Sequence, residues 1–241
     1  MPPLWTQEQT LKSFSGNAAK LADSLLVYAI TDRAWLGLPA GAGEAQKVGA
    51  LCQQVRAAIG GGATFIQMRE KNLGSAEMAL EAEALQAVCR ESRIPFVVND
   101  AVDVALAIDA DGVHIGQDDM TAAEARALLG PRKILGVSAQ TVEQALKAEA
   151  DGADYLGVGA VFPTGSKDDA VEVPHNVLTD ICNAVNIPVV AIGGITCNNV
   201  AELANTGICG VSVISAIFGK EDISAATAQL RAATETALCN K

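Results

Sequence analysis

Three long polar side chains stand at alternate positions in the stretch Phe65-Ile66-Gln67-Met68-Arg69-Glu70-Lys71. The run begins apolar and reads as a strand, and a period of two puts Gln67, Arg69 and Lys71 on one face. A guanidinium beside an ammonium has no structural use in a buried strand, because unpaired charge is costly to bury. A bound anion would give them one. Arg69 can grip phosphate oxygens with its planar fork, while Lys71 acts as a point charge. The plain structural alternative is a solvated strand edge pairing with carboxylates such as Glu70.

Other polar clusters end apolar runs in the same way. Asn99-Asp100 closes one run, and Gly116-Gln117-Asp118-Asp119 closes the next. Either aspartate could cap a following helix. That reading is stronger for Asp100 than for Asp119, because Thr121-Ala122-Ala123-Glu124 already spells a capping box. Two carboxylates at neighbouring strand ends also suit Mg²⁺ that keeps waters and takes phosphate ligands. Ser138 brings a hydroxyl to the rim without the G-x-S-x-G elbow of a nucleophilic serine. Thr164, Gly165, Ser166 and Lys167 form a loop able to fold over phosphate, or simply a solvated charged loop. Gly193-Gly194 and Ile214-Ser215 end two later runs, and paired glycines let backbone N–H groups approach a phosphate. Of the two histidines, His114 is expected in the core with a hydrogen bond, and His175 exposed at a helix start. Neither is read as an acid–base catalyst.

These clusters need a frame that gathers them. Eight strand-like segments fall at 25–32, 64–70, 95–100, 112–117, 133–139, 155–162, 188–195 and 210–215. Helical stretches between them include 75–90, 121–129, 141–150, 177–185, 198–204 and 223–238. Short apolar strands alternating with amphipathic helices predict βα units and a parallel sheet. Eight such units in a chain of this size predict an α/β fold, a closed (β/α)8 TIM barrel, rather than an open doubly wound sheet. Residues 1–20 read as an N-terminal extension and 21–241 as one barrel domain, with a glycine-rich first loop over 37–44. Barrel active sites lie at the C-terminal ends of strands, and every polar cluster above falls at one.

Composition bounds the partners. The chain is 50% hydrophobic but only 4% aromatic, so its core must be aliphatic. A net charge of −11 argues against nucleic-acid or anionic-membrane partners and leaves small phosphorylated molecules. No apolar run is long enough to span a membrane, and the N-terminus lacks the order of a signal peptide. A cytoplasmic protein with scattered reduced thiols is expected. The oligomeric state is not legible.

In their order and spacing these motifs resemble the thiamine-phosphate synthase family of (β/α)8 enzymes. The resemblance runs from Tyr28-Ala29-Ile30-Thr31-Asp32 to Ile214-Ser215. It rests on Gln67-x-Arg69-x-Lys71, Asn99-Asp100, His114-Ile115-Gly116-Gln117-Asp118-Asp119, Gly136-Val137-Ser138, Thr164-Gly165-Ser166-Lys167 and Gly193-Gly194-Ile195. It implies a transferase that couples 4-amino-2-methylpyrimidine-5-yl-methyl diphosphate with thiazole phosphate, releasing thiamine monophosphate and pyrophosphate. It also implies that Gln67, Arg69, Lys71, Asn99, Ser138 and Lys167 hold the pyrimidine diphosphate, with Arg69, Lys71, Ser138 and Lys167 catalytic. Asp100 and Asp119 would bind Mg²⁺, and Thr164, Gly165, Ser166, Gly194, Ile214 and Ser215 the thiazole phosphate. Gly165 and Ser166 depart from the family loop, which often carries a bulkier residue and threonine there. Alternatives are a thiazole tautomerase of the same fold and a non-enzymatic sensor of thiamine phosphates. The first would want an acid–base group where Ala160 stands.

Overall fold

A computed structural model of the chain describes residues 18–39, 41–165 and 172–239, and in it the apolar runs become short parallel strands. These are β1 (Val27–Ile30), β2 (Phe65–Met68), β3 (Phe96–Asn99), β4 (Gly112–Ile115), β5 (Ile134–Ala139), β6 (Tyr155–Val158), β7 (Val189–Ile192) and β8 (Gly210–Val213). Each pairs with the next, and β8 returns to β1, so the sheet closes into the expected barrel. Helices α1 (Ala18–Ser24), α2 (Glu44–Gly60), α3 (Ser75–Ser92), α4 (Val102–Ala107) and α5 (Ala122–Leu129) accompany the first half. Helices α6 (Val142–Ala150), α7 (His175–Ala184), α8 (Ser215–Phe218) and α9 (Ile223–Cys239) accompany the second. No described helix is long and apolar enough to cross a membrane.

Strand alternation divides the core. Phe65 faces inward with Tyr28, Val97, Tyr155 and Val190, whereas Ile66 and Met68 face the helices. Three inner rings meet edge to face, Tyr28 lying 4.6 Å from Phe65 and 5.9 Å from Tyr155 between centroids. Leu21 of α1 and Leu25 after it join this inner cluster, so the helix before β1 covers one end of the barrel. The proposed boundary between residues 20 and 21 falls inside that helix, and residues 1–17 lie outside the described ones. Between strands and helices, buried aliphatic side chains such as Leu85, Leu135 and Leu156 each stabilise the fold by about 1.5–3 kcal/mol.

Several expectations need correction. Asn99 closes β3 and Ser138 lies within β5, but other strands stop short of polar residues assigned to their ends: β7 ends at Ile192, where Gly193 (φ 95°) and Gly194 (φ 67°) leave the extended region. The stretch 198–204 is not an α-helix but a 3₁₀ turn at Val200–Leu203. The Asn199 side chain accepts from Thr196 N–H at 2.7 Å and donates to the Gly194 carbonyl at 2.9 Å, which holds that segment in a tight turn. His175 does open a helix, yet it is half-buried rather than exposed. Its ring packs at 5.0 Å on Phe162 and its Nε2 lies 3.1 Å from the Val161 carbonyl. The glycine-rich loop gives way at Glu44 to the seventeen-residue helix α2.

Candidate active site

The C-terminal ends of the strands surround a cavity of about 720 Å³. Gln67, Arg69 and Lys71 all line it, as the period of two requires. Gln67 is 1% exposed and Arg69 8%, whereas Lys71 is exposed at the rim. Arg69 is anchored from two sides: its backbone N–H donates to Thr31 Oγ1 at 3.2 Å, and its guanidinium lies 3.3 Å from Asp32 Oδ2. It does not pair with Glu70. That carboxylate points outward and meets Arg33 at 3.2 Å, and Arg33 also holds the buried Glu81 and, at 2.6 Å, Glu44. Burial, with the neighbouring Glu81 charge second, raises Glu70 well above the usual carboxylate range.

Asn99, Asp100, Asp118 and Asp119 line the same cavity from β3 and β4. Asp100 adopts φ 61°, a left-handed conformation that aspartate tolerates better than most residues. Its N–H donates to the His114 carbonyl at 2.8 Å, and its own carbonyl accepts from Val102 at 3.0 Å. Asp100 is not the N-cap of α4, a position held by Ala101. Asp119 is likewise no cap: its Oδ2 accepts from Gly116 N–H at 2.8 Å, and Thr121 forms the capping box with Glu124.

Ser138 reaches the cavity from β5. Its carbonyl accepts from the Gln117 amide at 2.6 Å, and its Oγ lies 3.0 Å from His114 Nε2. Opposite stand Thr164, Gly165, Gly193, Gly194, Ile214 and Ser215, all lining the cavity. Gly194 is fixed by its left-handed backbone and its surroundings, since an added Cβ would lie 2.5 Å from the Pro163 carbonyl oxygen. Ser166 and Lys167 lie outside the described residues.

Twelve of the fourteen residues singled out by sequence thus share one cavity. Sequence reasoning did not single out Tyr28, Gln140 or Thr196, which line it too. Tyr28 had a signal: it stands two residues before Ile30, on the inward face.

Comparison with known proteins bears on the family and the fold. The family model described as thiamine monophosphate synthase matches residues 38–217. The chain belongs to that family. It is accordingly an enzyme, a transferase. Thiamine-phosphate synthase from Clostridium tetani is 54% identical over 173 residues, which is 72% of this chain and 83% of that protein. A probable thiamine biosynthetic bifunctional enzyme from rice is 44% identical over 213 residues, which is 87% of this chain but 37% of that protein. The solved thiamine phosphate pyrophosphorylase from Pyrococcus furiosus superposes with a TM-score of 0.79 at 44% identity, covering 90% of this chain and 99% of that one.

Proposed function

We propose that the chain joins a pyrimidine-methyl diphosphate to a thiazole phosphate, releasing pyrophosphate and giving thiamine monophosphate. The observation that carries this reading is the meeting, in one cavity, of a cationic and carboxylate half (Arg69, Lys71, Asp100, Asp119) with a glycine and hydroxyl half (Thr164, Gly194, Ser215). The first suits a diphosphate, the second a monophosphate. Two phosphorylated substrates would then lie side by side.

In this reading Gln67, Arg69, Lys71, Asn99, Ser138 and Lys167 hold the diphosphate substrate. The C–O bond to the diphosphate breaks with its electron pair going to oxygen, and the thiazole nitrogen bonds to the freed methylene. Arg69 and Lys71 act where negative charge grows on the leaving group. Holding both substrates in one cavity makes the attack effectively intramolecular. Neither a protein nucleophile nor a strong base is needed, and Ala160 offers only a methyl group to the cavity, which disfavours the tautomerase alternative.

Asp100 and Asp119 fit Mg²⁺: they are hard oxygen donors from adjacent strand ends facing one cavity. Among the described residues no group of three or more His, Cys, Asp or Glu side chains is arranged to hold a metal. Asp100 and Asp119 would hold the ion together with substrate phosphates and water. When bound, it would supply further positive charge at the departing pyrophosphate.

The test is mass spectrometry after mixing pure protein, Mg²⁺ and both substrates. Thiamine monophosphate, with pyrophosphate released only when both substrates are present, is the expected result. Rearranged thiazole without coupling would overturn the reading.

A further inference from the structure

A chain of hydrogen bonds runs beneath the cavity between two of the proposed substrate-binding side chains. Gln67 Nε2 donates to the Tyr28 hydroxyl, and the Tyr28 and Tyr155 hydroxyl oxygens lie 2.8 Å apart. The Tyr155 hydroxyl lies 3.0 Å from His114 Nδ1, and His114 Nε2 lies 3.0 Å from Ser138 Oγ. The first four members are no more than 9% exposed. Space for them is made at Gly136, where a Cβ would collide with the Tyr155 ring and stand 2.5 Å from His114 Nδ1.

The chain has a direction. An amide nitrogen only donates, so Tyr28 accepts from Gln67 and its own hydrogen passes to the Tyr155 oxygen. The Tyr155 hydrogen then passes to Nδ1, which must be bare. A neutral imidazole with bare Nδ1 carries its proton on Nε2, and this donates to Ser138 Oγ. An imidazolium would point both Nδ1–H and the Tyr28 hydroxyl at the Tyr155 oxygen, stranding the Tyr155 hydrogen in a site where unpaired donors are costly. Burial raises both phenols above their usual range, so neither supplies a phenolate. With its oxygen accepting from His114, Ser138 keeps its hydrogen for the cavity that it lines.

We infer that Tyr28, Tyr155 and His114 are positioning residues that present Ser138 as a hydrogen-bond donor to an acceptor atom of the bound pyrimidine diphosphate. This rests on the reading above only in naming the substrate that meets Ser138.

The chain contains two histidines, so ¹⁵N-histidine labelling gives two imidazole signal sets, told apart with His175→Gln. For His114 in the substrate-free protein we expect a protonated Nε2 and a bare Nδ1. A protonated Nδ1, with or without a proton on Nε2, overturns the inference. Tyr155→Phe should shift both His114 nitrogens toward tautomer-averaged positions, and an unchanged spectrum overturns it equally. In turnover, Tyr155→Phe should cost about tenfold in the wild-type background. It should cost little further in Ser138→Ala, because the network acts through that hydroxyl. Losses that simply multiply would mean a purely structural role. The spectrum needs no substrate, so its outcome is independent of the reaction assigned.

Discussion

Replacing Arg69 by alanine separates a chemical role from a structural one, and the structure sets a size for each. The guanidinium is 8% exposed and, among the described residues, makes one ion-pair contact, 3.3 Å to Asp32 Oδ2, longer than a good charge-assisted bond. The Asp32 side chain is 21% exposed and keeps a second bond, Oδ1 accepting from Ala34 N–H at 2.9 Å. Loss of Arg69 therefore strands no deeply buried charge. The stability cost should be nearer that of an exposed pair, about 1 kcal/mol, than that of a broken buried one. In a domain of this size that lowers the melting temperature by about 2–4 °C. The effect on rate should be far larger. A preorganised donor aimed at developing negative charge is worth about 10²–10³ in kcat, or ~2.7–4 kcal/mol. Steady-state pyrophosphate release and a thermal melt on the same preparation measure both. Turnover within about twofold of wild type would refute the role of Arg69 at the leaving group. A melting point lowered by more than about 10 °C would refute the accounting of its contacts.

Asp119→Asn keeps an oxygen able to accept from Gly116 N–H but removes the charge, so the fold should survive while turnover falls by about 10²-fold or more. Excess chelator should abolish turnover in the wild-type enzyme and added Mg²⁺ restore it; full activity in chelator would rule out the metal reading. Asp111 gives a pH effect away from the site. Burial, opposed by the bond from Phe96 N–H, pushes its carboxyl from 3.8 up to about 6. The folded state therefore holds this proton more tightly than the unfolded one. The stability it contributes is complete below pH 3.8 and is lost as pH rises through about 6. Between pH 5 and 7 the loss is ~1.4 kcal/mol. Asp111→Asn still offers Phe96 an acceptor and should remove that part of the slope in urea titrations; identical slopes would show that the Asp111 carboxyl does not titrate as proposed.

The barrel was legible because its strands are short, aliphatic and regularly spaced, so period and length pointed to the same answer. Much of the cavity was legible because a closed barrel turns strand ends into a ring. Residues as distant in sequence as Arg69 and Ser215 could be placed together without any contact being foreseen. What resisted reading were links that depend on partners across the barrel. Tyr155 stands 41 residues from His114, and Glu81 stands 48 from Arg33. Nothing local marks either pair. Glu81 reads as one more surface charge on a helix until packing against β2 and the first loop buries it. The nearest sequence signal for the buried network was glycine at Gly136 and Gly157 within strands, since such glycines mark a close approach by something large. His175 misled for a related reason: a polar residue at a helix start usually faces solvent, but the first turn of α7 folds back onto Phe162.

The end of β2 shows how so acidic a chain can turn two cations toward the cavity. Alternation sends Arg69 and Lys71 into the cavity and turns Glu70 away, toward the helices. A carboxylate buried there would weaken the positive field of its neighbours through low-dielectric surroundings. Arg33 opposes that by clasping Glu70 and Glu81 together, and the raised proton affinity of Glu70 lowers the negative charge further. Asp32, the residue before Arg33, is the N-cap of the 3₁₀ turn that carries it and also contacts Arg69. One short turn after β1 therefore does two things at once: it neutralises carboxylates behind the strand and orients the guanidinium in front of it. The positive face of the cavity thus depends as much on where Glu70 and Glu81 are held as on the two cations that line it.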